Sequence, residues 1–152
     1  MSPTRPRVRP PPLALVVEDH SDTREMYAEW LTHSGFRVVQ SATAEDALNQ
    51  ARRLHPDIIT TDIGLHGASD GCQLCEDLKN DKRTEAIPVV AVTGWNMGGH
   101  VERARRAGCN AVLVKPVLPE TLLTEILRLL NGADEATTQK PAVLSHNKRA
   151  VR

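Results

Sequence analysis

Polar residues follow four short apolar runs of this sequence, and their types suit the binding of a phosphoryl group. Glu18-Asp19 follow the run 13–17, Asp62 follows 58–61, Thr93 follows 87–92 and Lys115 follows 111–114. If these runs are parallel strands, the three carboxylates crowd together and raise one another's pKa unless a cation compensates them. Mg²⁺ suits such a site because it accepts carboxylate oxygens and leaves positions for phosphate oxygens. Lys115 would add a second positive charge, and Thr93 a hydroxyl donor.

Asp62 is the carboxylate placed to react. The β-branched run before it predicts a buried strand, and Gly64 and Gly67 break that strand directly after it. Ligands of open α/β sheets bind beyond the carboxyl ends of the strands. A carboxylate at such a place can be a helix cap, a metal ligand or a nucleophile that forms an aspartyl phosphate. Together with the neighbouring charges, the position favours the nucleophile.

Five strands must alternate with five helices to bring these residues together. The apolar runs predict strands that are buried on both faces, as in a parallel sheet, with a further short strand over 36–40. Amphipathic stretches predict helices over about 22–34, 43–54, 72–80, 100–107 and 119–131. Asp22 and Glu25 have the spacing of a capping box, and Thr43 is the predicted cap of the second helix. The pattern predicts an α/β fold with a doubly wound parallel sheet and right-handed crossovers.

Composition narrows the class of protein. The chain has 152 residues, zero formal net charge and 40% hydrophobic residues, which indicates one ordinary globular domain. The neutral balance gives no general electrostatic case for direct nucleic-acid binding. No apolar run approaches the roughly 20 residues of a membrane span, and the first run is too short for a signal peptide. We therefore predict a cytoplasmic protein without membrane contact.

Three segments are predicted along the chain. Residues 1–12 hold five prolines and three arginines and are predicted to be a disordered arm. Residues 13–132 form the folded domain, and residues 133–152 lack periodicity and are predicted to be a disordered, mildly basic tail. Because few residues follow Gly132, we expect a stand-alone domain whose effect on any output passes through a partner.

With these features, the sequence resembles the CheY-like receiver domain of two-component response regulators over about residues 13–131. The resemblance is carried by Glu18-Asp19, Asp62, Asp70-Gly71, Thr93-Gly94, Gly108 and Lys115-Pro116, in this order. It implies a flavodoxin-like (βα)5 fold with strand order 2-1-3-4-5. It also implies a phosphorylation-controlled binding module rather than an enzyme.

The resemblance further implies roles for individual residues. Asp62 would be phosphorylated by a histidine kinase or a histidine phosphotransfer protein. Mg²⁺ would be bound by Asp19, Asp62 and the backbone carbonyl of Gly64, with Glu18 acting through water. Thr93 would move to hydrogen-bond the phosphoryl group, and Lys115 would pair with it.

The sequence departs from the family pattern at three places. Leu65-His66 stand where the family usually has Met-Pro, and Gly94 stands where it often has Ala. Val112 replaces the Tyr or Phe that usually precedes the lysine by three residues. Because that aromatic rotation is missing, we expect any switch to run through the loop after the fourth strand, where Trp95 could report it.

The fourth helix and fifth strand predict an output surface. Arg103, Arg105 and Arg106 make this region basic, and the family uses it for dimerisation or output contacts. We therefore assign Trp95, Arg103, Arg106 and Val112 to a surface for a homodimer or for an unidentified downstream protein. Cys72 and Cys75 have the spacing of a redox pair or half a metal site, but their place in a predicted helix favours inert, buried thiols.

Two other functions remain open from the sequence. The departures at residues 65, 66 and 112 are compatible with a degenerate receiver that acts as a phosphorylation-independent interaction module. A haloacid-dehalogenase-like phosphotransfer enzyme also uses Mg²⁺ and an Asp at a strand end. That chemistry usually needs a second Asp two residues later, and Gly64 stands there.

Overall fold

The computed structural model describes residues 10–65, 67, 69–94, 99–133 and 142–144. The strands are β1 (Leu13–Val17), β2 (Arg37–Ser41), β3 (Ile58–Asp62), β4 (Val89–Thr93), β5 (Ala111–Val114) and β6 (Ala142–Leu144). The helices are α1 (Ser21–His33), α2 (Ala44–Leu54), α3 (Gly71–Lys79), α4 (His100–Arg106) and α5 (Pro119–Ala133). Within these ranges, no helix has both the length and the apolar character needed to cross a membrane.

The strands form one parallel sheet in the order β2-β1-β3-β4-β5-β6. The order 2-1-3-4-5 predicted for the first five strands is therefore confirmed. The register pairs Val17 with Thr61, Asp62 with Val92, and Thr93 with Val114. Because the strands are parallel and paired in this register, their carboxyl ends lie along one edge of the sheet.

Helices cover both faces of the sheet, and each face has its own apolar layer. Leu15 and Ile59 pack with α2, α3 and α4 in one layer. Their chain neighbours Val16 and Ile58 point the other way, and Ile58 packs with α1 and α5 in the second layer. Burial on both faces explains why β1 and β4 are apolar at nearly every position rather than at every second one.

Two helix starts test the capping predictions. The Thr43 side chain accepts a hydrogen bond from the Asp46 backbone N–H at 3.1 Å, which confirms the cap of α2. The capping box at Asp22 was wrong, because α1 begins earlier. His20 is the N-cap residue, and its Nδ1 accepts from the Thr23 backbone N–H at 3.4 Å. Asp22 lies in the first turn, where its charge complements the positive end of the helix dipole.

The structure describes only a short part of each terminal segment for which the sequence predicts disorder. The carbonyls of Pro11 and Pro12 accept hydrogen bonds from the side chain and backbone of Arg37, each at 2.9 Å, so the arm is anchored there. Residues 142–144 form β6, because the edge of β5 offers backbone groups with which three residues can pair. The rest of both segments, residues 1–9, 134–141 and 145–152, lies outside the described residues.

The three cysteines are free thiols inside the folded domain. Cys72, Cys75 and Cys109 are all buried, and the thiols of Cys75 and Cys109 contact each other. Burial raises the pKa of the Cys72 thiol to about 11, so little reactive thiolate exists near neutral pH. The structure therefore favours the interpretation that Cys72 and Cys75 are unreactive, buried thiols rather than a redox pair or half a metal site.

We expect the three thiols to resist Ellman's reagent in the native protein and to react together once denaturant unfolds it. The physical reason is that the reagent needs an accessible thiolate, which burial denies. A variant with an exposed cysteine, Ser21→Cys, serves as the positive control and should add one fast-reacting thiol. Rapid labelling of the wild-type protein under native conditions would contradict this prediction.

Candidate functional site

Asp62 occupies the carboxyl end of the central strand β3. Its Oδ2 accepts a hydrogen bond from the Lys115 ammonium at 3.1 Å, and its Oδ1 accepts from the Gly64 backbone N–H at 3.2 Å. The Asp62 side chain is 13% exposed, so it is shielded but reachable from solvent. The bond to Gly64 is the local turn that an Asp side chain favours where a strand ends.

Glu18 lies beside Asp62, at the end of β1. The side chain is buried, and the Arg24 guanidinium donates to the Glu18 backbone carbonyl at 2.9 Å. Burial, a hydrogen bond with Asp62 and the Asp62 charge together raise the pKa of Glu18 to about 7, against the opposing charge of Lys115. The Glu18 carboxyl therefore resists ionisation chiefly because it is buried and secondly because it lies against Asp62.

The carboxylates of Glu18, Asp19 and Asp62 form an oxygen cluster that suits a divalent cation. Each offers one oxygen, and these oxygens lie within 4.8 Å of one another. Crowded oxygen donors with an unfavourable charge balance are a good fit for Mg²⁺, which is a hard cation with two positive charges. The expectation that Mg²⁺ fits this site rests on the type and the closeness of these three carboxylates.

Lys115 follows β5 directly and reaches across to Asp62. Burial by itself would lower the pKa of the Lys115 ammonium, but the charge and hydrogen bond of Asp62 and the charge of Glu18 outweigh it and raise the pKa. The Lys115 backbone N–H donates to the Thr93 carbonyl at 2.7 Å. Thr93 is buried at the end of β4, so the lysine and threonine are joined by the sheet itself.

Gly71 shapes the site through its backbone, a role that the sequence motif Asp70-Gly71 did not reveal. Its N–H donates to the Ile63 carbonyl at 2.9 Å. A Cβ at this position would lie 2.1 Å from the Asp62 carbonyl oxygen and 2.9 Å from the Ile63 Cα. Helix α3 can therefore begin against the loop after β3 only because residue 71 has no side chain.

Asp70 connects that loop to α4. Its Oδ1 caps α3 by accepting from the Gln73 N–H at 2.9 Å, and its Oδ2 accepts from the Arg103 guanidinium at 2.6 Å. Burial alone would raise the pKa of Asp70, but the Gln73 and Arg103 hydrogen bonds outweigh it and lower the pKa. The sequence contains both residues, but nothing in their spacing of 33 positions predicts the pair.

We expect Asp70→Ala to lower the free energy of unfolding by about 1.5 kcal/mol and Asp70→Asn by about 0.5 kcal/mol. Asparagine keeps the cap and loses only the charge of an ion pair whose arginine is half exposed. Chemical denaturation measures both values. Because folding lowers the pKa of Asp70, its charge stabilises the protein above the ordinary Asp pKa, and the difference between wild type and Asp70→Asn should fade below about pH 4. Equal effects of the two substitutions would contradict a role for the cap.

The structure describes three of the four residues that the sequence assigns to the output surface. Arg103 and Arg106 are exposed on α4, and Trp95 and His66 lie outside the described residues. Val112 was wrongly assigned to this surface, because it is fully buried in the layer formed with α4. Both faces of β5 are covered by helices, so an aliphatic residue in this strand points into the core on either side.

The structure thus brings Glu18, Asp19, Asp62 and Lys115 together at one edge of a doubly wound sheet, and Thr93 ends the strand between Asp62 and Lys115. An acidic, cation-compatible cluster with a half-buried lysine on one of the acids therefore lies at the strand ends of a domain of flavodoxin-like architecture.

Comparison with known proteins gives the family. Residues 14–127 match the model of the response regulator receiver domain, and the chain belongs to this family. It is 34% identical over 119 residues to the polar-differentiation response regulator DivK of Brucella ovis, covering 78% of this chain and 96% of that protein.

Solved structures support the same fold. A CheY-like response regulator receiver domain protein from Methanospirillum hungatei superposes with a TM-score of 0.77 at 24% identity, covering 84% of this chain and 99% of the other. The receiver domain of a sensor histidine kinase from Pseudomonas aeruginosa gives 0.74 at 26% identity, covering 80% and 98%. That structure holds a magnesium ion coordinated in its active site cleft.

Proposed function

We propose that this protein is a phosphorylation-controlled receiver in which Asp62 accepts a phosphoryl group from a histidine kinase or a histidine phosphotransfer protein. The observation that carries the proposal is the 3.1 Å contact between the Lys115 ammonium and the Asp62 carboxylate, beside the acidic cluster. A lysine so placed is within reach of the oxygens of a phosphoryl group on Asp62, and a carboxylate is an established nucleophile for such a group.

The transfer step follows from the position of Asp62. A carboxylate oxygen attacks the phosphorus, an O–P bond forms, and the N–P bond of the phosphohistidine donor breaks. The departing imidazole nitrogen keeps the bonding electron pair and takes up a proton. Lys115 then pairs with the phosphoryl oxygens instead of the free carboxylate, and the Thr93 hydroxyl donates to them.

Glu18, Asp19, Asp62 and the Gly64 carbonyl would hold Mg²⁺, with Glu18 acting through water. The ion, when bound, supplies positive charge that balances the transferring phosphoryl group. This chain's own part is to hold the acids converged, to keep Lys115 against the acceptor and to shield the site from bulk water. Removal of the ion should therefore stop transfer without unfolding the domain.

The other predicted properties remain proposals. Phosphorylation of Asp62 would switch binding to a downstream protein, and a homodimer through α4 and β5 is one form this could take. Gly64 stands where a dehalogenase-type enzyme needs its second carboxylate, so we propose a signalling domain rather than an enzyme. Direct nucleic-acid binding is not proposed, and a cytoplasmic location stays a prediction of the sequence.

The proposal is tested by incubating the protein with Mg²⁺ and acetyl phosphate and measuring its intact mass. We expect the mass to increase by one phosphoryl group in the wild type and not at all in Asp62→Asn. Asp57→Asn is the matched control, because Asp57 lies just before the other end of β3 and accepts from the Leu13 N–H through an oxygen that Asn retains.

Failure of wild type and control alike to form the adduct, with Mg²⁺ present, would overturn the proposal and favour a phosphorylation-independent interaction module. Such a module has one observation in its favour, since buried Val112 replaces the usual aromatic residue. Multiple turnovers of phosphate release would instead favour the enzyme.

A further inference from the structure

The edge of β5 is occupied by the chain's own C-terminal segment. On one side β5 pairs with β4, and on the other β6 pairs in parallel, with Ala111 opposite Ala142, Val112 opposite Val143 and Leu113 opposite Leu144. Without β6, β5 would be the last strand of the sheet. The C-terminal segment therefore covers a row of backbone groups that would otherwise be free to pair.

The site beneath β6 is suited to recognise an extended strand. Ala111 and Leu113 pack in the layer with α5, and Val112 packs in the layer with α4, so both faces of β5 are already filled. What β5 offers outward is its edge, a line of N–H and C=O groups between two helices. Such an edge binds any extended segment of matching length, and natural proteins cover it to prevent unwanted pairing.

We propose that the β5 edge is a strand-binding site, and that residues 142–144 of the same chain occupy it as a displaceable covering strand. The class of ligand is a short, extended apolar segment that runs parallel to β5. The occupant is the chain's own segment, and no other strand can pair with this edge until β6 has left. This inference concerns access to the sheet and stands independently of phosphorylation at Asp62.

The sequence around β6 agrees with a reversible covering strand. Ala142, Val143 and Leu144 are apolar, and Pro141 directly before them lacks the N–H that would extend the pairing. Three residues form few ladder bonds, so local opening of this strand costs little compared with opening of the central strands. The covalent connection through residues 134–141 nevertheless gives the segment a high effective concentration at its own edge.

Hydrogen exchange of the full chain tests the proposal. We expect the Ala142→Pro/Val143→Pro double variant to exchange the β5 amides that point away from β4 about tenfold faster. The two prolines remove adjacent N–H groups of β6, and since N–H groups alternate between the two edges of a strand, one of the two faces β5. The amides of β4 should be unaffected, which shows that the variant is folded. Thr137→Pro/Thr138→Pro is the matched control, with the same two prolines outside β6, and should leave β5 protected.

Two further measurements keep the proposal falsifiable if the double variant is unstable. In the wild type, the amides of residues 142–144 should exchange more slowly than in a synthetic peptide of residues 140–147. The labelled peptide should also bind the double variant and not the wild type. Exchange of residues 142–144 at the rate of the free peptide, or β5 protection that is equal in the variant and the control, would overturn the proposal.

Discussion

A methyl group added at residue 71 is expected to destabilise the protein by about 3 kcal/mol and to weaken its affinity for Mg²⁺. The Cβ of Gly71→Ala would lie 2.1 Å from the Asp62 carbonyl oxygen, which is backbone and cannot rotate away. Relief of this clash requires either α3 or the Asp62–Ile63 backbone to shift. A shift of that backbone moves the Asp62 side chain relative to Glu18 and Asp19, so stability and metal affinity should fall together.

Chemical denaturation and calorimetric titration with Mg²⁺ measure the two effects. Gly132→Ala is the control, because a Cβ there meets nothing within 4 Å and lies in the last turn of α5. The control should keep the wild-type affinity for Mg²⁺ and lose no stability. A fully stable Gly71→Ala protein with unchanged metal affinity would contradict the close packing of α3 against the loop after β3.

Replacement of Lys115 by methionine is expected to raise the affinity for Mg²⁺ by about tenfold while it abolishes stable binding of beryllofluoride, a phosphoryl analogue. The ammonium repels a divalent ion in the neighbouring carboxylate cluster, so its removal favours the metal. The same ammonium is the group proposed to pair with the phosphoryl oxygens, so its removal disfavours the analogue. Opposite changes for the two ligands separate a charge effect from simple misfolding.

Lys82→Met is the control for this prediction. Lys82 is exposed in the turn after α3, and its substitution removes the same formal charge from the protein at a distance from the cluster. It should leave both affinities unchanged. Weaker Mg²⁺ binding in Lys115→Met would mean that the lysine supports the cluster structurally rather than opposing the metal.

Much of the fold could be predicted because its signal is local and repeated. The runs at β1 and β5 coincide with the observed strands, since an apolar run buried on both faces begins and ends at clear changes of composition. The convergence of Asp62 and Lys115 followed from parallel topology, which brings strand ends to one edge whatever their separation in sequence. These features depend on the backbone pattern more than on particular side-chain contacts.

The features that sequence analysis missed depend on tertiary contacts. The Asp70–Arg103 pair joins two elements with no common spacing, and the contact of Gly71 with Asp62 exists only after α3 has packed. Three apolar residues in a polar tail carry too little periodicity to predict β6. The start of α1 was misplaced because a histidine nitrogen, rather than the more usual carboxylate, accepts the capping hydrogen bond.

The main-chain hydrogen bond from Lys115 to the Thr93 carbonyl limits which residues could change the lifetime of a phosphoryl group at this site. It joins the backbones of the two residues proposed to bind the phosphoryl oxygens, so neither backbone can shift without disturbing the pairing of β4 with β5. Any movement of Thr93 would therefore be made by its side chain. We therefore expect the lifetime of a phosphorylated form to depend on the loop residues around Gly64 and Gly94. Substitutions there can change the site while the backbone positions of Lys115 and Thr93 are kept.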